Sequence, residues 1–172
     1  MRKLRENKKG AMELSFGMIF SIILIIAFLA FTIYAINKFL GIQKTLQAAT
    51  LVNDLQGAID KMWRGGQGSQ QYTFSLPSKT QAVCLVDFSS PKTGPKESLY
   101  NELSRAFFEK ENLVFYPVGS AEGLDAAAIG HINITKITKS ENPYCFTAVK
   151  SKIKMVVKMT PGDSLVTLER GI

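Results

Sequence analysis

Two cysteines and one histidine are the residues of this 172-residue chain best equipped for covalent or metal chemistry. Cys84 sits in AVCLVDF and Cys145 in YCFTAV, and both stretches read as strand. Joined, the two would close a loop of ~60 residues and stabilise the fold by roughly 3–4 kcal/mol on the loop-entropy model. Left apart, they would be buried free thiols in neighbouring strands. Two Cys and a lone His fall short of a tetrahedral zinc set. His131 is the one imidazole available as a general base, and its neighbours Gly130 and Ile132 suggest a loop-to-strand junction at the surface. The carboxylates are scattered, with no calcium-loop spacing. The glycine-rich stretch Trp63-Arg64-Gly65-Gly66-Gln67-Gly68-Ser69 lacks the Gly-Lys-Ser/Thr ending of a phosphate loop and reads as a turn. No catalytic residue, metal site or cofactor is expected. Asn133-Ile134-Thr135 fits the glycosylation sequon, which makes Asn133 a candidate acceptor if this part of the chain lies outside the cytoplasm.

What places these groups begins with residues 14–37, LSFGMIFSIILIIAFLAFTIYAIN, a run of 24 residues without charge. As a helix it would extend ~36 Å, against ~30 Å for the hydrocarbon core of a bilayer. The apolar part of a cleaved secretory signal is shorter, at ~7–15 residues. A core helix rarely stays apolar on every face for so long. Arg2, Lys3, Arg5, Lys8 and Lys9 precede the run, and basic residues are retained on the cytoplasmic side. The expected topology is a single pass through the cell membrane, with the N-terminus cytoplasmic and the C-terminal domain extracytoplasmic. An oxidising exterior favours pairing of Cys84 with Cys145. Of the formal net charge of +7, the leader supplies the larger part. The basic balance therefore reflects topology and attraction to inner-leaflet lipid, and no nucleic-acid partner is expected.

Beyond Lys38 the apolar residues Phe39, Ile42, Leu46, Ala49, Val52, Leu55, Ile59 and Met62 recur every three or four positions, one stripe of an amphipathic helix. Gly65 is the expected stop. The remainder is mostly β: strands are predicted over residues 71–76, 82–88, 112–118, 132–137, 144–149, 153–159 and 165–168. A short helix presents Leu99, Leu103, Ala106 and Phe107. The pattern predicts an α+β fold. Its long N-terminal helix, half transmembrane and half amphipathic, packs on a C-terminal, mainly antiparallel β-rich head with one short helix. Residues 1–10 form a basic cytoplasmic leader, 11–63 the transmembrane and stalk helix, and 70–172 the extracytoplasmic head.

At Lys8-Lys9-Gly10-Ala11 a basic leader, a glycine and an almost immediate hydrophobic helix follow one another. This resembles the class III signal of type IV pilins and archaeal pilin-like proteins. A long helix running into a β-rich, disulfide-bonded head is similar to the pilin build as well. The resemblance implies cleavage between Gly10 and Ala11 by a prepilin-type peptidase, leaving a mature chain that starts AMELSFGMIF. It also implies that Glu13 pairs with the new N-terminal amine of a neighbouring subunit. Bacterial pilins carry glutamate at the fifth mature position, whereas Glu13 would be third, and the head has no assignable family signature. The implied role is a structural or minor subunit of a surface filament or related assembly machinery, partnered by membrane lipid, the peptidase and other pilin-like subunits. The alternative is a signal-anchored extracytoplasmic receptor or accessory interaction protein that remains in the membrane.

Overall fold

Helix α1, Phe16–Gly65, contains no proline, and good helix formers outnumber its glycines and β-branched residues in the second half. The structure is a computed structural model that describes residues 16–107 and 110–171. The chain divides into two compact units, Met1–Phe39 and Leu40–Ile172. The expected stop at Gly65 is displaced by one residue. Gly66 takes the left-handed backbone, at φ 75°, and its N–H donates to the Met62 carbonyl at 3.1 Å, which closes the helix.

In the unit Leu40–Ile172, the end of α1 is followed by β1 (Gly68–Ser75), β2 (Ala82–Leu85), α2 (Glu97–Ala106), β3 (Leu113–Tyr116) and β4 (Ala126–Ala127). Then come α3 (Ile134–Ile137), β5 (Tyr144–Thr147), β6 (Lys152–Met159) and β7 (Thr167–Arg170). The strands form two antiparallel sheets, ordered β1-β6-β7 and β4-β3-β2-β5. The expected α+β fold, with its long N-terminal helix packed on antiparallel sheets, is the observed one.

Two cores follow from the two-residue period of β2. Val83 and Leu85 face α1 and join Leu51, Leu55, Ile59, Phe115, Met155 and Leu168 in the main core. Ala82 and Cys84 point the other way, into a second core with Val114, Cys145 and Leu103 of α2. A strand buried on both faces reads as continuously apolar, which is why AVCL shows no alternation. Strand β6 alternates as predicted, with Ile153, Met155, Val157 and Met159 buried and Lys152 and Lys154 exposed.

Four expectations need correction. The predicted stripe of α1 is rotated in its first turns. Ala48, Leu51, Leu55, Ala58 and Ile59 are buried, while Phe39, Ile42 and Leu46 are exposed. Lys44 and Thr45 meet the head instead, through Glu122 and Ala121, so the buried face is set by polar contacts the apolar pattern does not register. Residues 132–137 are not a strand. Only Ile132 bridges a strand partner, Val166, and Asn133 then caps the one-turn helix α3 by accepting the Lys136 N–H at 2.9 Å. Among the described residues the head therefore has two short helices rather than one. Finally, Ala126–Ala127, expected within a loop, pairs with β3, and the last strand lies two residues beyond its predicted place.

Candidate functional site

From Phe16 to Asn37 the helix is uncharged, and none of its side chains is buried within the protein. Phe16, Ile22 and Phe28 lie on different sides of it, all exposed. Its serine and threonine hydroxyls are internally satisfied. Ser21 donates to the Gly17 carbonyl at 2.8 Å and Thr32 to the Phe28 carbonyl at 2.7 Å. Such a segment needs no water for its helical backbone or for these two hydroxyls, which suits residence in lipid. It is long and apolar enough to cross a membrane and lies near the N-terminus. Gly10, Ala11 and Glu13 lie outside the described residues.

Cys84 and Cys145 stand directly opposite on β2 and β5 and form a disulfide across 61 positions of sequence, beneath α2. The free-thiol alternative does not apply. Asn133 is half-buried at the start of α3, where its carboxamide oxygen is committed to the cap. The sequon hydroxyl of Thr135 donates to Asp87 Oδ2 at 3.3 Å.

The buried Asp87 organises the loop after β2. Burial pushes its carboxyl up, but donors from the Ser89 and Ser90 hydroxyls, the Ser89 N–H and Thr135 together outweigh this and hold it below the ordinary aspartate range. Asn142 locks the same loop, accepting from the Asp87 N–H at 3.1 Å and donating to its carbonyl at 2.9 Å. Beside it, Glu141 takes both Lys96 and Arg170 at 2.6 Å. Burial raises Glu141, and the two cations overcome this and lower it. These carboxylates are saturated by structural partners, which suits holding loops together rather than moving protons.

His131 is where sequence reasoning placed it, exposed at the end of a loop, but its neighbours were missed. Its ring stacks on Trp63 with centroids 4.0 Å apart and planes 5° from parallel, and Nδ1 lies 2.9 Å from Asp60 Oδ1. The His131 contact, with a Gln56 amide bond, holds the Asp60 carboxyl below its usual value. Asp60 and Trp63 are three residues apart on α1 and so share a face, a legible signal; that His131 would fold onto them was not. Among the described residues, no group of three or more His, Cys, Asp and Glu could hold a metal ion.

A second feature missed from sequence is a surface groove of about 680 Å³ between β5 and β6. Phe146 and Val149 give it apolar floor, and Lys150, Lys152, Lys154 and Arg170 surround it. Comparison with known proteins finds no matching family model, no matching curated protein and no matching solved structure.

Proposed function

We propose that this chain is a pilin-like, single-pass membrane protein that serves as a structural or minor subunit of a surface filament or related assembly machinery, without catalysis of its own. The observation that carries the reading is the composition of α1. Its first half is apolar and exposed all round, and its second half is the core helix of a disulfide-bonded head. Exposure of Ile42 and Leu46 extends the uncovered apolar surface past the charge-free run. Such a surface can be satisfied by lipid or by the equivalent helix of another subunit, through burial and dispersion.

On this reading the leader stays cytoplasmic, the head folds outside, and a prepilin-type peptidase cuts between Gly10 and Ala11. Glu13 then meets the new amine of a neighbour, because a lone carboxylate at the membrane edge is costly. The intact mass of protein extracted from membranes tests this. Loss of residues 1–10 is the expected result, and a retained leader would sink it. Recovery of the chain in sheared surface filaments would then separate a filament subunit from an accessory component.

One observation favours the second reading, a signal-anchored receptor or accessory interaction protein. The groove flanked by Lys150, Lys152, Lys154 and Arg170 joins apolar floor to a cationic rim, a combination suited to an anionic partner. A full-length chain that keeps its leader and never enters filaments would support it.

A further inference from the structure

Strand register gathers several loops at one end of the unit Leu40–Ile172. Ala82 stands opposite both Tyr116 and Thr147, so Gln81, Val118 and Val149 leave the four-stranded sheet together. In the other sheet Ser75 stands opposite Lys152, and the Leu76 N–H donates to the Ser151 carbonyl at 2.8 Å. The turn at residues 77–80 joins the same end, where Thr80 donates to Ser120 at 3.0 Å. α1 meets this end through its first residues within the unit. The Thr45 hydroxyl donates to the Glu122 carbonyl at 2.8 Å, and Lys44 Nζ lies 2.8 Å from Glu122 Oε1.

The chemistry of this end is distinctive. Among the described residues of the unit beyond α1, the exposed large hydrophobics are Val118, at 40% exposure, and Val149, at 71%. Both are here. So are the exposed Lys79, Lys150 and Lys152. The acids are Glu122, paired with Lys44, and Asp125, whose Oδ1 accepts the Gly119 and Ala121 N–H groups. Cations therefore prevail. Val149 is presented on a rigid tip: it exchanges both backbone hydrogen bonds with Lys152, and Lys150 and Ser151 between them hold the two positive φ angles of a tight hairpin turn.

Chain length supplies the partner. Lys44 lies only seven positions after Asn37, the last of the charge-free run. That tether spans ~10 Å as helix and at most ~25 Å fully extended. If residues 14–37 span a bilayer, this end of the head cannot leave the neighbourhood of its surface. We propose that it is a membrane-docking face. Val118 and Val149 enter the lipid interface, while Lys79, Lys150 and Lys152 lie against anionic headgroups, the arrangement of apolar and basic groups that binds such surfaces. The proposal rests on the membrane-spanning part of the reading above and not on filament formation.

Val149→Trp in the full chain, reconstituted into vesicles carrying brominated acyl chains, tests it. Trp63 near the opposite end of the head, measured in the unsubstituted chain, supplies the reference signal. With phosphatidylglycerol present, the indole at position 149 should be quenched strongly and Trp63 hardly at all. Adding K150E and K152E should weaken the docking, each cation contributing about a fivefold factor on an anionic surface. Quenching at position 149 no greater than at Trp63 would overturn the proposal, and equal quenching in purely phosphatidylcholine vesicles would overturn its electrostatic part. Hydrogen exchange of the unsubstituted protein over residues 148–152 gives the same answer without a substitution, slowed on anionic vesicles if the tip docks. Flotation in alkaline carbonate separates the two levels. A chain that fails to float removes the spanning helix and the docking with it; one that floats with an unprotected tip removes the docking alone.

Discussion

Ser151 and Lys150 hold φ angles of 56° and 50°, a backbone region where a side chain costs ~1–2 kcal/mol and glycine costs little. Ser151→Gly should therefore stabilise the head by about 0.5–1 kcal/mol, raising its thermal midpoint by ~2–5 °C. An unchanged or lower midpoint in calorimetry would show that the tip is not held in this turn. Two groups of residues tie the head more deeply. The Cys84–Cys145 bridge should be worth ~2–4 kcal/mol, read as the fall in urea midpoint of a Cys84→Ala/Cys145→Ala double variant. The second is the carboxylate network. Asp87, Glu141 and Asp163 all have lowered folded-state values, Asp163 chiefly through its Lys136 hydrogen bond. A depressed carboxyl contributes stability that is present above its unfolded value and is lost as pH falls through its folded one. Urea midpoints should thus fall steadily below about pH 4, the ordinary carboxylate range. Asp87→Asn should be less stable at neutral pH and show a shallower acid decline; an identical slope would mean that Asp87 does not titrate with folding.

At the scale of elements, what was legible followed from period, and what was not followed from competition. β2 and β6 could be read because burial on both faces or on one leaves a plain hydrophobic signature. α3 could not, since Ile132 and Ile134 alternate like a strand while Asn133 offers a cap that only the folded loop selects. Asn133→Ala should accordingly cost about 1 kcal/mol, measured as a drop in urea midpoint, and a loss near zero would leave α3 dependent on packing alone. The disulfide was legible as a choice between two states; register decided it by setting Cys84 against Cys145. The groove and the basic end of the head were not legible at all, because Lys79, Val118 and Val149 are brought together by three separate strand pairings. The stripe of α1 erred in its first turns for a related reason. Ile42 and Leu46 fit the period as well as Ala48 and Leu51 do, yet the head lies over the latter pair. Since Ile42 and Leu46 contribute little to the core, Ile42→Asp with Leu46→Asp should leave the melting of the head within ~0.5 kcal/mol of its original stability. The same pair should abolish incorporation into filaments if the uncovered stripe packs against other subunits. Incorporation at the original level, scored by immunoblotting sheared material, would assign the stripe to lipid or solvent instead.

For the molecule as a whole, the two units make opposite demands on their surroundings. The residues of the first, as far as they are described, offer apolar side chains outward on every side, and monomeric soluble proteins rarely expose so long an uncovered run. The second buries its own apolar groups: every member of both cores lies beyond Leu40, from Ala48 onward. Its surface charge is mixed, with 15 Lys and Arg against 12 Asp and Glu from Leu40 to the end, a balance that favours solubility. Removing the first unit therefore removes no contact from either core, and the covalent bridge stays within the second. A fragment consisting of Leu40–Ile172, made in an oxidising compartment, should be soluble and should melt in one cooperative transition. Its thermal midpoint should lie within ~5 °C of that of the full chain in detergent, a shift corresponding to roughly 1 kcal/mol for a domain of this size. Circular dichroism measures both. A fragment without a cooperative transition would mean that the head depends on the preceding helix for stability, and the boundary between Phe39 and Leu40 would then not divide independent folding units. A fragment that melts normally shows that the head folds without the segment before Leu40, whose exposed apolar surface Ile42 and Leu46 extend onto the head.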